Sequence, residues 1–333
     1  YRIEATGTAG NMNFPRDDDT VLYTGTAVID PGLSSTLPIL HWFMDPADYA
    51  AGVAHKFTDD TEPAVLYYDG TVYDGVQTRV RGNSARSWPK PPWKFFFPQG
   101  HNFSAPDLIL QPVDTFNIQS AYADKSYARE IMAWETFEGS GAPANQIFPM
   151  RVEQNGSFHG LYHFLEAADA DFVRRNDIDI NGARYKAETG DMSFYPLPSD
   201  LVPLYEKKTR LSEPYDDLHN VVLGVNNLGG PELRDFLLDN IDIPSVINYL
   251  AVQTILHNND HTRKNYYLTR DTLGTGRWRI DAWDLDLTFG RVFLDGNVLN
   301  DTILADADSI PGKPVQVAPS HPMVGTLNHR PWQ

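Results

Sequence analysis

The sequence contains no cysteine. Disulfide bonds, thiolate nucleophiles and metal sites with cysteine ligands are therefore excluded. It also lacks any run of about 18 apolar residues, so we expect no membrane-spanning helix. No signal peptide is evident, and because the chain begins at Tyr1 rather than Met we expect a processed or truncated N-terminus. Gly-Lys-Ser and Gly-Lys-Thr are absent too, which excludes a Walker-type phosphate loop.

Basic residues are scarce relative to acidic ones. The chain has 27 Lys and Arg against 44 Asp and Glu, a formal net charge of −17. Such a protein repels nucleic acid and anionic membranes, so we expect no nucleic-acid partner. An acidic protein that binds a nucleotide needs metal ions and a few well-placed Lys or Arg residues to offset the repulsion.

The pattern of elements indicates a mixed chain of 333 residues, long enough for one large domain or two moderate ones. Alternating β-branched and aromatic residues around Asp69-Gly70 predict a hairpin, because Asp-Gly suits a type I′ turn. Helical periodicity favours helices over residues 125–138 and 245–256, and residues 182–215 are expected to be rich in loops. A β-rich first part followed by a helix-rich later part is typical of a two-lobed α+β enzyme.

The segment from His257 to Asn265 has the spacing of a phosphotransferase loop. Asp260 lies five residues before Asn265, and a predicted hairpin then leads to Asp284 and Asp286. In phosphotransferases of the protein-kinase type, the loop Asp accepts the substrate hydroxyl proton, while the Asn and a later Asp hold magnesium. The alternative is structural: Asp260 caps a turn and Asp284 sits in a tight bend.

Three upstream residues are candidates for contacts with a nucleotide. Arg81 begins Arg-Gly-Asn-Ser, where small residues let the backbone approach a phosphate; a solvated hairpin turn is the alternative. Lys94 lies in an aromatic strand and would need an anionic partner if it faced inward; otherwise it lies on the polar face. Glu166 ends a strand and would line a pocket or pair with Lys94, unless it is an acidic residue favoured by a helix N-terminus.

Taken together, these pieces resemble the CotH family of spore-coat-protein-H-like atypical protein kinases. They keep their order over roughly residues 60–290: Arg81-Gly82-Asn83-Ser84, Lys90 to Phe97, Asp124-Lys125-Ser126 with Arg129, Asn155-Gly156 to Glu166, Asn259-Asp260 with Asn265-Tyr266-Tyr267, and Trp283-Asp284-Leu285-Asp286 with Phe289-Gly290.

The resemblance implies an α+β fold of the divergent two-lobed protein-kinase type, with ATP and Mg²⁺ or Mn²⁺ as cofactors. It implies transfer of the ATP γ-phosphate to Ser or Thr of a secreted or surface protein. By position, Asp260 would be the catalytic Asp, and Asn265, Asp284 and Asp286 would be metal ligands, with the two Asp residues competing for the principal role. Lys94 would contact phosphates as a second catalytic residue, Arg81 would lie on the phosphate side, and Glu166 would lie near the nucleotide.

The resemblance also sets expectations for domains and location. Residues 1–35 lie outside the matching part and are expected to be an extension or part of an appended domain. Residues 36–333 are expected to form the kinase domain, with its C-terminal part cut short. We expect a secreted or cell-surface protein. Two alternatives stay open: a catalytically silent adhesion or assembly protein on the same fold, and a metal-dependent phosphohydrolase.

Overall fold

The computed structural model describes residues 3–8, 10–16, 18, 27–256, 258, 260–261 and 264–289. The chain divides into two compact units. The first unit comprises Tyr1–Tyr122 and Asn145–Asp171, and the second comprises Ala123–Ala144 and Phe172–Gln333.

The first unit is built mainly from strands. Among the described residues it contains β1 (Ile3–Gly7), β2 (Gly10–Phe14), β3 (Ile39–Phe43), α1 (Pro46–Ala54), β4 (Glu62–Tyr68), β5 (Thr71–Val80), β6 (Trp93–Phe96), β7 (Thr115–Gln119), β8 (Ile147–Gln154) and β9 (Ser157–Glu166). Strands β1 and β2 form a separate antiparallel hairpin.

The other seven strands close into a barrel in the order β3-β4-β5-β6-β7-β9-β8. Neighbouring strands pair antiparallel except β3 and β8, which pair parallel and close the barrel. Alternate residues of each strand face inward, and the core there is aromatic: Trp42, Trp93, Phe95, Phe116 and Phe164 are completely buried. Aromatic side chains of this size bury much apolar area each, so the barrel interior is the main source of stability in this unit.

Local chemistry explains two features of this unit. At the β4–β5 turn, Asp69 and Gly70 both have positive φ, 42° and 84°, as a type I′ turn requires. Helix α1 begins after Asp45, whose Oδ1 accepts a hydrogen bond of 2.7 Å from the backbone N–H of Ala47. The predicted Asp-Gly turn is confirmed.

The second unit combines helices with a four-stranded antiparallel sheet in the order β11-β10-β12-β13. Its described elements are α2 (Arg129–Gly139), α3 (Ala170–Arg175), which begins at the end of the first unit, β10 (Ala183–Ala187), β11 (Tyr205–Lys207), α4 (Asp216–Asn227), α5 (Gly230–Asn240), α6 (Ile243–Ile255), β12 (Tyr266–Arg270) and β13 (Trp278–Ala282).

The buried carboxylate of Asp124 fixes the start of α2. It accepts hydrogen bonds from the backbone N–H groups of Ser126, Ala128 and Arg129, and from the Arg129 guanidinium. The first N–H groups of a helix have no partner within the helix, so this single side chain satisfies several of them at once.

The mixed α and β architecture is confirmed, with strands dominating the first unit and helices more frequent in the second. Residues 182–215 are rich in loops, as expected, and the short strands β10 and β11 also lie there. The closed barrel was not foreseen, and the likeness to two kinase lobes and the boundary at residue 35 stay predictions. The expected early end of the domain concerns residues 290–333, which lie outside the described residues.

Within the described part of the chain, no helix combines the length and apolar character that crossing a bilayer requires.

Replacing Phe116 by Ala tests the aromatic core. The Phe116 ring lies 4.6 Å from the Phe103 ring and 5.0 Å from the Phe164 ring, centroid to centroid. We expect Phe116→Ala to lower the free energy of unfolding by about 3–5 kcal/mol, measured by urea denaturation. The control, Phe158→Ala, alters a ring that is 58% exposed, and we expect a loss below about 1 kcal/mol. Equal losses would contradict this account of the core.

Candidate active site

Asp260 lies in the loop between α6 and β12 of the second unit. Helix α6 is capped at its start by Asp242, whose Oδ1 accepts from the backbone N–H of Ser245 at 3.3 Å. Beyond its end, the side chain of Asn258 accepts a hydrogen bond of 2.9 Å from the backbone N–H of Asp260. Both loop residues are buried, with Asp260 only 5% exposed. The loop therefore holds a carboxylate largely out of water.

The structure brings Asn265 directly onto Asp260. The Asn265 Nδ2 donates hydrogen bonds of 2.9 Å to the backbone carbonyl and to the Oδ2 of Asp260. Lys264 adds an ion pair to the same Oδ2 at 3.0 Å. With its amide nitrogen used in this way, Asn265 keeps its carbonyl oxygen as a possible metal ligand.

Asp284 lies just after the end of the β12–β13 hairpin. Tyr266 pairs with Ala282 in the β12–β13 ladder. The backbone N–H of Trp283 donates to the backbone carbonyl of Asn265 at 3.0 Å, which extends this ladder by one pair. Asn265 and Asp284 both adopt left-handed backbone, with φ of 63° and 58°. Non-glycine residues seldom adopt this conformation, and it concentrates at functional sites. The two candidate ligands thus lie at the same end of the β12–β13 strand pair.

The acidic residues around this loop influence one another. Burial raises the pKa of Asp260 to about 6, and the charge of Asp284 adds to this, while Lys264 and Asn265 oppose it. Burial also raises the pKa of Asp286 well above its usual range, with further contributions from Asp284, Glu130 and Asp260. Carboxylates that share a site resist ionising together.

The donor set fits a hard divalent cation. Asn265, Asp284 and Asp286 offer amide and carboxylate oxygens, the ligands that Mg²⁺ and Mn²⁺ prefer. Burial is the main cause of the raised pKa of Asp286, and a bound cation would relieve the repulsion from neighbouring carboxylates that adds to it. The residues present therefore fit the metal that the sequence led us to expect.

A separate acidic cluster lies in the first unit, at positions that carried no prediction from the sequence. Ligand oxygens of Asp114, Asp169 and Asp171 lie within 4.8 Å of one another. Two of these carboxylates accept local hydrogen bonds: Thr115 Oγ1 donates to Asp169 at 2.6 Å, and the backbone N–H of Asp114 donates to Asp171 at 3.3 Å. These bonds tie the cluster to the chain at the start of β7 and α3.

Arg81 and Lys94 also lie in the first unit. Arg81 directly follows β5, and its Nη1 donates to the Gln119 side chain at 2.7 Å. Lys94 lies on β6 between two residues of the barrel core, so strand alternation places it on the outer face. Its ammonium lies 4.9 Å from the Phe96 ring centroid. The structure thus favours the outward-facing alternative for Lys94.

Glu166 is the fully buried last residue of β9. Its Oε2 accepts a hydrogen bond of 3.0 Å from the backbone N–H of Gln146. Glu166 pairs with Phe116 across the sheet, whereas Lys94 pairs with Asn117. Because successive residues alternate between faces, the register places Glu166 and Lys94 on opposite faces of the sheet.

Sequence reasoning missed Glu130 and Lys264. Glu130 is buried on the same face of α2 as Ala133, Trp134 and Phe137. An acidic residue at a core position of a helical pattern is the signal that could have found it. Lys264 lies directly before Asn265, and only the folded loop reveals that it contacts Asp260.

The raised pKa of Asp260 predicts a pH-dependent stability in the metal-free protein. The unfolded pKa is near 3.8 and the folded pKa about 6, so the folded state binds the extra proton in this window. Ionised Asp260 therefore destabilises the fold above pH 6, and this cost vanishes below about pH 4. We expect Asp260→Asn to be more stable than wild type at pH 8 by on the order of 1–3 kcal/mol, with no gain at pH 4.

The measurement is urea denaturation at both pH values. The matched control is Asp239→Asn, an exposed position on α5, which should change stability by less than about 0.5 kcal/mol at either pH. A stability gain for Asp260→Asn that is as large at pH 4 as at pH 8 would refute the assignment.

Comparison with known proteins identifies the family of this chain. A family model described as CotH kinase protein matches residues 78–317, which is more than half of the chain. The matched range includes every candidate residue from Arg81 to Asp286. A comparison with curated proteins gives no match. Since the family model covers the barrel strands from β6 onward and the loop between α6 and β12, the chain belongs to the CotH family.

Proposed function

We propose that this protein is a metal-dependent protein kinase, with a divergent two-lobed kinase-like fold, that transfers the ATP γ-phosphate to Ser or Thr of a protein substrate. Membership of the CotH kinase family supports the proposal. The observation that carries it is the buried Asp260 carboxylate, which Asn265 orients at the end of the β12–β13 strand pair that Asp284 and Asp286 follow.

In the proposed reaction, the substrate hydroxyl oxygen forms a bond to the γ-phosphorus as the bond to the β–γ bridging oxygen breaks and ADP leaves. Asp260 accepts the hydroxyl proton. Its pKa of about 6 leaves it ionised at neutral pH and close to the value that suits a general base. When bound at Asn265, Asp284 and Asp286, Mg²⁺ or Mn²⁺ supplies charge neutralisation for the phosphates.

Arg81, Lys94 and Glu166 are the proposed nucleotide contacts. Arg81 and Lys94 would provide positive charge for the phosphates, which a protein of net charge −17 must concentrate locally. Glu166, which is buried on the opposite face of the sheet from Lys94, would lie towards the adenine side of the nucleotide and not at its phosphates. These three roles rest on the family resemblance, and substitution of each residue should raise the KM for ATP if they hold.

The proposed acceptor is a secreted or cell-surface protein, and this protein would itself be located there. Family membership motivates this part of the proposal. It would be tested by locating the native protein in cell fractions, with phosphorylated Ser and Thr mapped in the same fractions.

The first activity prediction concerns phosphate transfer. With ATP, Mn²⁺ and dephosphorylated casein as a generic acceptor, we expect Asp260→Asn to lower kcat by about 10²–10⁴-fold, because the general base is lost. Asp284→Asn should lower it by at least about 10²-fold, because the charge on the metal site falls. The control Asp239→Asn should match wild type. Wild-type protein that neither binds ATP nor transfers phosphate would contradict the proposal.

ATP binding and phosphate transfer distinguish a kinase from a catalytically silent adhesion protein and from a phosphohydrolase. We expect ATP with Mn²⁺, at about 100 times its Kd, to stabilise the wild type by about 2.7 kcal/mol in thermal unfolding. A catalytically silent adhesion protein that does not bind nucleotide would show no response. Release of free phosphate without transfer to protein or peptide would favour a phosphohydrolase instead.

A further inference from the structure

Lys264 is a cation placed among carboxylates. Its Nζ lies 3.0 Å from the Oδ2 of Asp260. The Lys264 side chain is 42% exposed, whereas that of Asp260 is 6% exposed. The ammonium therefore approaches the buried carboxylate from the side of the solvent, the side from which a dissolved cation would also arrive.

Lys264 and Asn265 use the same oxygen. Asn265 Nδ2 donates to Oδ2 at 2.9 Å, beside the ammonium. No donor from the described residues reaches the Oδ1 of Asp260. Two donors on one oxygen fix the rotation of the carboxylate and leave the other oxygen to accept a proton.

Asp260 is not the only carboxylate near Lys264. Lys264 directly precedes Asn265, whose backbone carbonyl accepts a hydrogen bond of 3.0 Å from the Trp283 N–H, so Lys264 lies beside the segment that leads into Asp284 and Asp286. All three carboxylates are therefore within electrostatic range of the ammonium. A divalent cation at Asp284 and Asp286 would neutralise the same carboxylate charges and would repel the ammonium of Lys264.

We propose that Lys264 is the internal counter-cation of this loop: a positioning residue that holds Asp260 through Oδ2 and weakens the binding of a divalent cation at Asp284 and Asp286. The inference rests on the proposed function for the identity of the metal ligands. Its consequence for cation affinity can be measured without any catalysis. In the metal-free protein, the ammonium balances part of the acidic charge, and an incoming cation must overcome its repulsion.

The test is Mn²⁺ binding to metal-free protein without nucleotide, by calorimetric titration at low ionic strength. We expect Lys264→Met and Lys264→Gln to bind Mn²⁺ about three- to tenfold more tightly than wild type, because a repelling unit charge is removed. Gln keeps a donor for Oδ2, so it separates the effect of charge from that of the hydrogen bond. Lys264→Arg, which keeps the charge, should leave the affinity near that of wild type.

Lys208→Met is the matched control. Lys208 is a lysine of the same unit whose Nζ pairs with Glu206 at 2.8 Å, so its removal changes the net charge equally and leaves the loop intact. It should not tighten Mn²⁺ binding. Raising the salt concentration to about 1 M should shrink the gain seen for Lys264→Met, since screening weakens the repulsion.

Unchanged or weaker Mn²⁺ binding by both uncharged Lys264 variants, with folding verified by circular dichroism, would overturn the inference. If wild type binds no measurable Mn²⁺, the appearance of binding in Lys264→Met supports it, and its absence there overturns it. A lack of phosphate transfer alongside tighter Mn²⁺ binding would count against the proposed kinase activity alone.

Discussion

Repulsion between carboxylates in a small, poorly hydrated volume is the constraint on which the loop between α6 and β12 depends. Asp260 is buried, and Asp284, Asp286 and Glu130 add negative charge within electrostatic range of Asp260 or of one another. Water cannot screen these charges well, so the protein must supply donors. Asn265 and Lys264 do this together at the Oδ2 of Asp260.

The β12–β13 hairpin makes that arrangement possible. Its ladder continues to the pair of Asn265 and Trp283, and only then does the chain turn into left-handed backbone at Asp284. Left-handed conformations at non-glycine residues cost on the order of 1 kcal/mol each, and they persist only where surrounding structure holds them. The sheet of the second unit provides this support because β12 pairs on both sides, with β10 and β13.

The first unit has a different organisation. Its barrel is closed by the parallel pairing of β3 and β8, and its interior is filled with aromatic rings. Such a core fixes which strand faces are inside, and therefore which side chains are available outside. Lys94 lies on the outer face for this reason, while Glu166 shares the inner face with Phe116.

Local features could be predicted from the sequence: the Asp69-Gly70 turn, helix α6, and the spacing of Asp260, Asn265 and Asp284. Each depends on residues close together in the chain, where turn and capping chemistry act directly. Other features became evident only in the folded chain: β10 pairs with β11 and β12, the barrel closes, Glu130 is buried, and Lys264 contacts Asp260. These depend on partners distant in sequence or on the path of a loop, and a one-residue shift in register would change every face.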